Sequence, residues 1–167
     1  MKKILILNGS PRKNGKTASL VKAFTEGAER SGNEVRELYL NSMNIKGCLA
    51  CEYCRSHGGV CSQKDDMQTV NEAFLWADVV VFASPQFWGT VTAQLKTVID
   101  RLYAPMMEYG SEARKQFVII MTSRGEMYGM TEDFFSIFSN YCGWELLGTV
   151  FGAGKEMQAL ALGSNIN

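Results

Sequence analysis

Apolar runs and amphipathic repeats alternate along the chain. Residues 4–7 and 79–83 are apolar at every position, as expected for strands covered by helices on both faces. The segments between such runs carry apolar residues every three or four positions, which predicts helices packed on the strands. The predicted strands are residues 2–8, 35–40, 79–83, 117–121 and 144–151, and the predicted helices are residues 16–31, 67–77, 91–102, 130–142 and 154–162. This alternation predicts an α/β, doubly wound fold in a single domain spanning residues 1–167.

The sequence also predicts where individual strands, a helix cap, a loop and the C-terminal residues lie. The second strand contains two charged residues, which favours a position at the edge of the sheet, whereas residues 79–83 are expected at its centre. Asp65 and Asp66 are expected to cap the helix that follows them. Residues 41–64 show no period and are predicted to form a cysteine-rich insertion loop, and residues 163–167 are expected to fray.

Three loops are expected to meet at one edge of this sheet. In doubly wound folds, ligands bind beyond the carboxyl ends of the strands. The loops that follow the first, third and fourth strands are residues 9–17, 84–90 and 122–129, and all three are rich in small and turn-forming residues. We therefore take these loops as the candidate binding site.

The loop at residues 9–17 reads Gly-Ser-Pro-Arg-Lys-Asn-Gly-Lys-Thr and joins a predicted strand to a predicted helix. This arrangement directs free backbone N–H groups and the positive end of a helix dipole to one point, where a phosphate binds well. Arg12 and Lys16 add positive charge, and Ser10 and Thr17 add hydroxyl donors. The sequence therefore predicts that this loop holds the phosphate of a cofactor.

Two other nucleotide-binding loops fit this segment less well. The nucleoside-triphosphate P-loop has four residues between its glycines, whereas five separate Gly9 from Gly15. The strand at residues 79–83 also lacks an acidic residue at its end for magnesium. The Gly-x-Gly-x-x-Gly pattern of dinucleotide-binding folds is absent from the loop. A polar turn without a ligand is the remaining alternative.

Composition narrows the class of partner. Lysine plus arginine balance aspartate plus glutamate, 17 against 17, which argues against a nucleic acid or a membrane surface bound through bulk charge. No apolar run approaches the roughly 20 residues that cross a bilayer, and the first apolar run is shorter than that of a secretory signal. We therefore expect a cytoplasmic protein with no nucleic-acid or membrane partner, whose five cysteines stay reduced.

Two motifs together resemble those of a known family. They are Gly-Ser-Pro-Arg-x-Asn-Gly-Lys-Thr at residues 9–17 and Ser-Pro-x-Phe-Trp-Gly-x-Val-x-Ala-Gln-Leu-Lys-x-x-Ile-Asp-Arg at residues 84–101. The chain resembles the flavodoxin-like NAD(P)H-dependent FMN reductases, and among them it is most similar to the iron–sulfur flavoproteins. The resemblance extends from Met1 to about Gly154. It implies a flavodoxin-like, five-stranded parallel sheet in the order 2-1-3-4-5, FMN as the cofactor and NAD(P)H as the electron donor.

The resemblance also implies which residues bind the cofactor. The first loop would hold the FMN phosphate, the loop after the third strand would line the flavin ring, and the loop after the fourth strand would hydrogen-bond its pyrimidine end. The residues concerned are Ser10, Arg12, Asn14, Gly15, Lys16 and Thr17; Pro85, Gln86, Phe87, Trp88 and Gly89; and Thr122, Ser123 and Gly125. Because the flavin carries the chemistry, no catalytic side chain is assigned.

Aromatic residues in the second loop agree with a flavin. FMN needs one phosphate cradle and a flat apolar slot with polar groups at its edge. Phe87 and Trp88 supply ring surface, and the backbone N–H groups around Gly89 are unencumbered by a side chain. Core packing or a dimer interface is the alternative for the two aromatic residues, and we expect a mixed flavin and interface role.

Four of the five cysteines lie close together in sequence. Cys48, Cys51, Cys54 and Cys61 follow the spacing Cys-x2-Cys-x2-Cys-x6-Cys. This spacing is similar to the compact [4Fe–4S] motif of iron–sulfur flavoproteins, which implies a cluster that exchanges single electrons with the flavin. A four-cysteine zinc site, a redox-active Cys-x-x-Cys and four uncoordinated thiols remain open alternatives. Cys142 is expected to be a buried small hydrophobe.

The leading hypothesis is an FMN-dependent oxidoreductase that takes electrons from NAD(P)H and passes them to a small acceptor, of the quinone or nitro-aromatic type. The alternative is an iron–sulfur flavoprotein that acts as an electron carrier with ferredoxin-like partners. A flavin-free binding module is a third hypothesis. The resemblance and the aromatic loop also predict a homodimer or a dimer of dimers.

Overall fold

Five strands form one parallel sheet in this computed structural model. The strands are β1 (Lys3–Asn8), β2 (Glu34–Tyr39), β3 (Val79–Pro85), β4 (Gln116–Thr122) and β5 (Glu145–Phe151). The α-helices are α1 (Lys16–Arg30), α2 (Tyr53–Ser56), α3 (Met67–Trp76), α4 (Ala93–Arg101), α5 (Tyr103–Tyr109), α6 (Gly129–Cys142) and α7 (Glu156–Ser164). Short 3-10 helices cover Leu40–Ser42 and Gly110–Ala113. The structure describes the backbone of residues 1–167 and all side chains except those of Tyr109, Ser111 and Glu112.

The strand order β2-β1-β3-β4-β5 makes β3 the central strand. This order confirms the predicted flavodoxin-like sheet, the central position of the third strand and the edge position of the second. All neighbouring strands pair in parallel, so their connections cross over through helices. Asn8 of β1 pairs with Ala83 of β3, and Pro85 of β3 pairs with Thr122 of β4. The loops after these three strands therefore begin side by side.

The sheet separates two hydrophobic cores. Leu5 and Leu7 of β1 face the core beneath α3, α4 and α6, whereas Ile4 and Ile6 face the core beneath α1 and α7. All four side chains are fully buried. Burial on both faces of the sheet explains why the inner strands are apolar at successive positions.

Helices α1 and α7 pack through close backbone contact. Gly27 and Gly163 lie where the helices meet, and a Cβ on Gly163 would come within 2.1 Å of the carbonyl oxygen of Phe24. The residues after α7 are also held, because Asn33 Nδ2 donates to the carbonyl of Ile166 at 2.9 Å and Ile166 is buried. The expectation that the last five residues fray was therefore wrong.

The segment after α4 forms a second helix, α5, which the apolar pattern did not predict. Proline interrupts a helix because it lacks an N–H, yet it is tolerated in the first turn. Pro105 is the third residue of α5 and therefore lies in its first turn, where a proline does not interrupt the helix.

Among the described helices, none is long and apolar enough to cross a membrane.

The two aspartates before α3 divide their roles. Asp66 is the N-cap residue, but its side chain makes no cap hydrogen bond; Asp66 Oδ2 instead accepts the N–H of Asn44 at 2.7 Å. Asp65 Oδ1 accepts the N–H of Met67 at 3.1 Å. The expectation of a shared cap was therefore wrong for Asp66, whose carboxylate ties the cysteine-rich segment to the start of the helix.

Gly163→Ala tests the close contact between α1 and α7. In an open helical position, a change from glycine to alanine stabilises a protein by about 1 kcal/mol. At Gly163 the new Cβ would meet backbone atoms of α1. We therefore expect the free energy of unfolding, measured by urea denaturation, to fall by about 1–3 kcal/mol.

Gly129→Ala is the matched control, because Gly129 opens α6 with no atom near its missing Cβ. This control should be neutral or stabilising. An unchanged or increased stability of Gly163→Ala would contradict the described packing.

Candidate functional site

Hydrogen bonds join the three loops at the carboxyl edge of the sheet. The N–H of Gly9 donates to the carbonyl of Ala83 at 2.8 Å, and the N–H of Gln86 donates to the carbonyl of Thr122 at 2.7 Å. Thr92 Oγ1 donates to the carbonyl of Gly9 at 2.7 Å. Because most of these contacts are made by the backbone, the relative position of the loops depends mainly on the sheet.

A cleft of about 800 Å³ opens between these loops. This volume lies within the range of sites that bind small molecules and cofactors. Most of the sequence-predicted cofactor residues line the cleft, together with two neighbours that were not assigned. The lining residues are Ser10, Pro11, Arg12, Asn14, Gly15, Lys16, Thr17, Pro85, Gln86, Phe87, Thr122, Ser123 and Arg124. Trp88, Gly89 and Gly125, which were also predicted, lie outside this lining.

The N-terminus of α1 lies at the cleft. Gly15 is its N-cap residue, and no side chain caps the helix there. The N–H groups of the first turn therefore keep their capacity to bind a ligand. Arg12 and Lys16 are exposed cations in the same wall of the cleft. Uncapped donors, a helix dipole and positive charge are together the properties of an anion-binding site.

The two predicted hydroxyl donors are engaged within the protein. Ser10 Oγ donates to the carbonyl of Arg12 at 3.1 Å and accepts the Arg12 N–H at 3.2 Å. The hydroxyls of Thr17 and Thr122 lie 2.8 Å apart, and both residues are buried. Ser10 therefore shapes the first loop, and Thr17 joins the start of α1 to the end of β4.

The loop after β3 folds into a tight turn. Phe87 and Thr90 exchange backbone hydrogen bonds of 2.8 and 3.2 Å, and the residues between them, Trp88 and Gly89, have positive φ angles of 49° and 87°. Positive φ at both central positions is the pattern of a type I′ turn, which suits glycine but strains tryptophan. Trp88 is fully exposed at the tip, and Gly89 packs against Met130. This turn explains why neither residue lines the cleft.

The loop after β4 turns just beyond the cleft. Ser123 Oγ accepts the N–H of Gly125 at 3.3 Å, and the exposed Arg124 between them lines the cleft. Arg124 belongs to the segment 122–125 that the resemblance places at the pyrimidine end, although it is not among the individually predicted site residues. Behind the loop, the Tyr128 ring stacks on Phe151 with 4.7 Å between ring centres, and burial raises the pKa of the Tyr128 phenol.

All four clustered cysteines line a second cavity, of about 240 Å³. Cys48 and Cys51 are exposed, and Cys54 and Cys61 are partly buried. The end of α4 and the start of α5 also line this cavity. The thiols are not gathered at one point: within the described side chains, no three His, Cys, Asp or Glu residues come close enough to hold a single metal ion.

Local contacts shape the cysteine loop, and one of them favours the thiolate of Cys51. Ala50 and Glu52 have φ angles of 51° and 56°, which are uncommon for residues with a Cβ and are often found at functional sites. The N–H of Ala50 donates to Cys48 Sγ at 3.4 Å, and Cys51 Sγ lies 3.4 Å from Ser62 Oγ. The hydrogen bond with Ser62 lowers the pKa of Cys51. The thiolate is the form of cysteine that binds metals.

A buried ion pair between Arg101 and Asp65 lies beside the cysteine cavity. Both side chains are at most 3% exposed. Asp65 also accepts the backbone N–H groups of Lys46 and Met67, each at 3.1 Å. Burial opposes both charges, but the hydrogen bonds outweigh it, so the pKa of Asp65 is lowered and that of Arg101 is raised.

Sequence reasoning missed this ion pair. Asp65 was interpreted only as a helix cap, and Arg101 was part of a motif without an assigned role. The two residues are 36 positions apart, so no local periodicity connects them. Two signals were available in the sequence: Arg101 is a charged residue at the end of an otherwise amphipathic helix, and Asp65 directly follows the loop with four cysteines.

Neither cavity is lined by His57, the single histidine in the sequence, or by Cys142. His57 is exposed, and its ring stacks on Tyr53 at 3.6 Å between ring centres. Cys142, at the end of α6, is partly buried against the core beneath α6, and burial raises the pKa of its thiol. Cys142 therefore behaves as the small hydrophobe that was expected.

Comparison with known proteins places these sites in a family. Residues 2–158 match the family model for NADPH-dependent FMN reductase. An iron–sulfur flavoprotein of Archaeoglobus fulgidus is 40% identical over 110 residues, which are 66% of this chain and 47% of the relative. An iron–sulfur flavoprotein of Methanocaldococcus jannaschii is 34% identical over 130 residues, which are 78% of this chain and 65% of the relative. The solved structure of an NAD(P)H:quinone oxidoreductase from Methanothermobacter marburgensis matches with a TM-score of 0.77 at 20% identity, over 99% of both chains.

The chain belongs to the NADPH-dependent FMN reductase family, because the family model covers nearly all of it. Within that family, its curated relatives place it in the iron–sulfur flavoprotein branch. Both statements confirm the resemblance found in the two motifs. The chain spans between 47% and 65% of the length of these relatives, and the likeness to the quinone oxidoreductase shows a shared fold.

Asp65→Asn tests the buried ion pair through its pH dependence. The variant leaves the Arg101 charge buried without a partner, so at neutral pH we expect it to be about 3–5 kcal/mol less stable than wild type. Because the pKa of Asp65 is lowered in the folded protein, its stabilising effect is present above the ordinary aspartate pKa, about 3.9. The effect is lost as the pH falls through the lower, folded-state pKa. Urea denaturation from pH 7 down to pH 3 should therefore show the difference between the two proteins shrinking.

Asp100→Asn is the control, because it breaks an exposed pair with Lys96 on α4. Its effect should stay below about 1 kcal/mol at every pH. A difference between Asp65→Asn and wild type that does not change with pH would contradict an ionised, paired Asp65.

Proposed function

We propose that the protein is an FMN-dependent oxidoreductase that takes electrons from NAD(P)H and passes them to a small acceptor of the quinone or nitro-aromatic type. The observation that carries this proposal is the cleft formed by three loops at the carboxyl edge of the sheet, with an uncapped helix N-terminus in one wall and an aromatic residue in another. Bound FMN would supply the redox chemistry at its ring. The protein would bind and orient that ring.

The residues present in the cleft fit FMN. The N-terminus of α1, with Arg12 and Lys16, offers donors and charge for the phosphate. Phe87 is half exposed within the lining and offers an apolar surface for the ring. Thr122 and Ser123 also line the cleft, where they would bind the pyrimidine end. Asn14, Gly15, Pro85 and Gln86 would complete the walls.

Lys16→Met tests phosphate anchoring. A hydrogen bond to a charged group contributes about 1.5–3 kcal/mol, so the variant should bind FMN about tenfold more weakly or worse. Its affinity for riboflavin, which lacks the phosphate, should change little. Flavin fluorescence quenching measures both dissociation constants.

Lys22→Met is the matched control, because Lys22 is an exposed cation on α1 that does not line the cleft. It should leave the affinity for FMN within about twofold of wild type. Equal losses for FMN and riboflavin in Lys16→Met, or an equal loss of FMN affinity in Lys22→Met, would contradict phosphate anchoring at this loop.

We also propose that Cys48, Cys51, Cys54 and Cys61 hold a [4Fe–4S] cluster. A single zinc ion draws four sulfurs to about 2.3 Å from one point. In a cluster, each cysteine binds a different iron, so the sulfurs stand farther apart. All four thiols line one cavity, as a shared cluster requires. The relatives named as iron–sulfur flavoproteins favour the cluster over zinc.

Cys61→Ser tests the proposed ligand set. After anaerobic reconstitution, the wild-type protein should bind iron and acid-labile sulfide in equal amounts, and the variant should lose most of both, because it lacks one thiolate. Colorimetric iron and sulfide assays on the desalted protein measure these contents.

Cys142→Ser is the control, since Cys142 lies in α6 and does not line the cysteine cavity. It should keep the wild-type iron and sulfide contents. Retention of wild-type contents by Cys61→Ser, or a wild-type protein that takes up zinc and no sulfide, would overturn the proposed cluster.

The cysteine cavity also favours a second function, that of an electron carrier with a ferredoxin-like partner. The two functions differ in the source of electrons. The enzyme should show rapid loss of flavin absorbance when NADPH or NADH is added anaerobically, whereas the carrier should be reduced by ferredoxin and not by the nicotinamide nucleotides. FMN-loaded protein that neither nucleotide reduces would contradict the proposed enzyme.

Exposed apolar residues support the proposal of a homodimer or a dimer of dimers. Trp88 is fully exposed on its turn, Met127 is 84% exposed before α6, and Met130 is 65% exposed at the start of α6. Large exposed apolar side chains often mark a surface that another chain covers. On the sequence evidence given above, we propose that the protein works in the cytoplasm.

A further inference from the structure

The guanidinium of Arg101 links a cysteine of the cavity to Lys46 and Asp65, at the two ends of the segment that carries the cysteines. Arg101 Nη2 donates to Cys61 Sγ at 3.3 Å, and Nη1 donates to the carbonyl of Lys46 at 3.0 Å as well as to Asp65. Arg101 is 3% exposed and lines the cavity together with the four cysteines. Its Nε is buried without an acceptor among the described residues.

Stability alone does not explain this arrangement. A buried ion pair gains little over apolar residues of the same size, because desolvation offsets the attraction between the charges. A buried donor without an acceptor adds a further desolvation cost. Arg101 carries both disadvantages, yet its donors reach a cysteine sulfur. A buried cation of this kind suits a cavity whose occupant is negatively charged.

Asp65 holds the guanidinium in place. Its carboxylate accepts Arg101 Nη1 and the backbone N–H groups of Lys46 and Met67, so it fixes the cation to both the cysteine-rich segment and α3. Asp65 does not line the cysteine cavity. Within the pair, the positive charge is therefore the one that faces the thiols.

We propose that Arg101, held by Asp65, is a positioning residue of the cysteine centre that raises the reduction potential of the cluster bound there. The inference rests on the proposed [4Fe–4S] cluster. When such a cluster accepts one electron, its net charge becomes more negative by one unit. A nearby cation and a hydrogen bond to a ligand sulfur stabilise that reduced state more than the oxidised one, and low local dielectric strengthens the effect.

The double variant Arg101→Met/Asp65→Asn tests this role. It removes both charges, so neither is left buried alone, and the asparagine oxygen can still accept the backbone N–H groups. We expect the cluster's one-electron reduction equilibrium to shift about tenfold toward the oxidised form, which corresponds to a midpoint potential lower by about 59 mV. A potentiometric titration of the reconstituted protein, followed by electron paramagnetic resonance, measures the potential.

Lys22→Met is the control. It removes an exposed cation from α1, which does not line the cysteine cavity. Its cluster should keep the wild-type potential. Arg101→Lys is the second variant: it keeps the charge, but one ammonium group cannot reproduce the forked contacts to Asp65 and Cys61. Its potential should lie between those of the wild type and the double variant.

The outcomes separate this inference from the proposed cluster. A wild-type protein without iron and sulfide overturns the cluster and the role of Arg101 with it. A wild-type cluster whose potential is unchanged in the double variant overturns the role of Arg101 alone. If the double variant does not fold or binds no cluster, Arg101→Lys decides, because an unchanged potential in that variant also overturns the inference.

Discussion

Parallel pairing of β1, β3 and β4 is the constraint on which the candidate site depends. It brings the carboxyl ends of three strands to one edge, where Asn8 pairs with Ala83 and Pro85 pairs with Thr122. Backbone hydrogen bonds then hold the loops together. The same pairing directs α1, which follows β1, with its uncapped N-terminus at the cleft. The anion binding that we propose at this point rests on the direction of the strands and on the helix dipole.

Helix α4 connects this cleft with the cysteine cavity. Thr92, its N-cap residue, donates a hydrogen bond to Gly9 in the first loop, and Arg101, its last residue, donates one to Cys61. Nine helical residues span about 14 Å. The cysteine-rich segment has little regular structure, so polar contacts such as those of Asp65 fix it to this helix. Helix α4 thereby sets the distance between the proposed flavin site and the proposed cluster.

Sequence patterns were sufficient for the sheet and for the loops of the site. Apolar runs identified the inner strands because both faces of the sheet are covered, and the strand–loop–helix pattern at residues 9–17 identified the helix N-terminus in the cleft. The patterns failed where structure depends on distant contacts. The Arg101–Asp65 pair joins residues that are 36 positions apart, and the C-terminal residues are held by Asn33 after α1. The exposure of Trp88 depends on a turn type that its sequence does not favour.

The most direct test is the cofactor content of the anaerobically purified wild-type protein after addition of excess FMN and desalting. Visible absorption measures the bound flavin, and colorimetric assays measure iron and sulfide. A cleft that binds FMN and a cavity that binds a cluster predict a flavin spectrum with about one FMN per chain, and about four iron and four sulfide atoms beside it. Folded protein that retains no FMN after this treatment would contradict the assignment of the three-loop cleft.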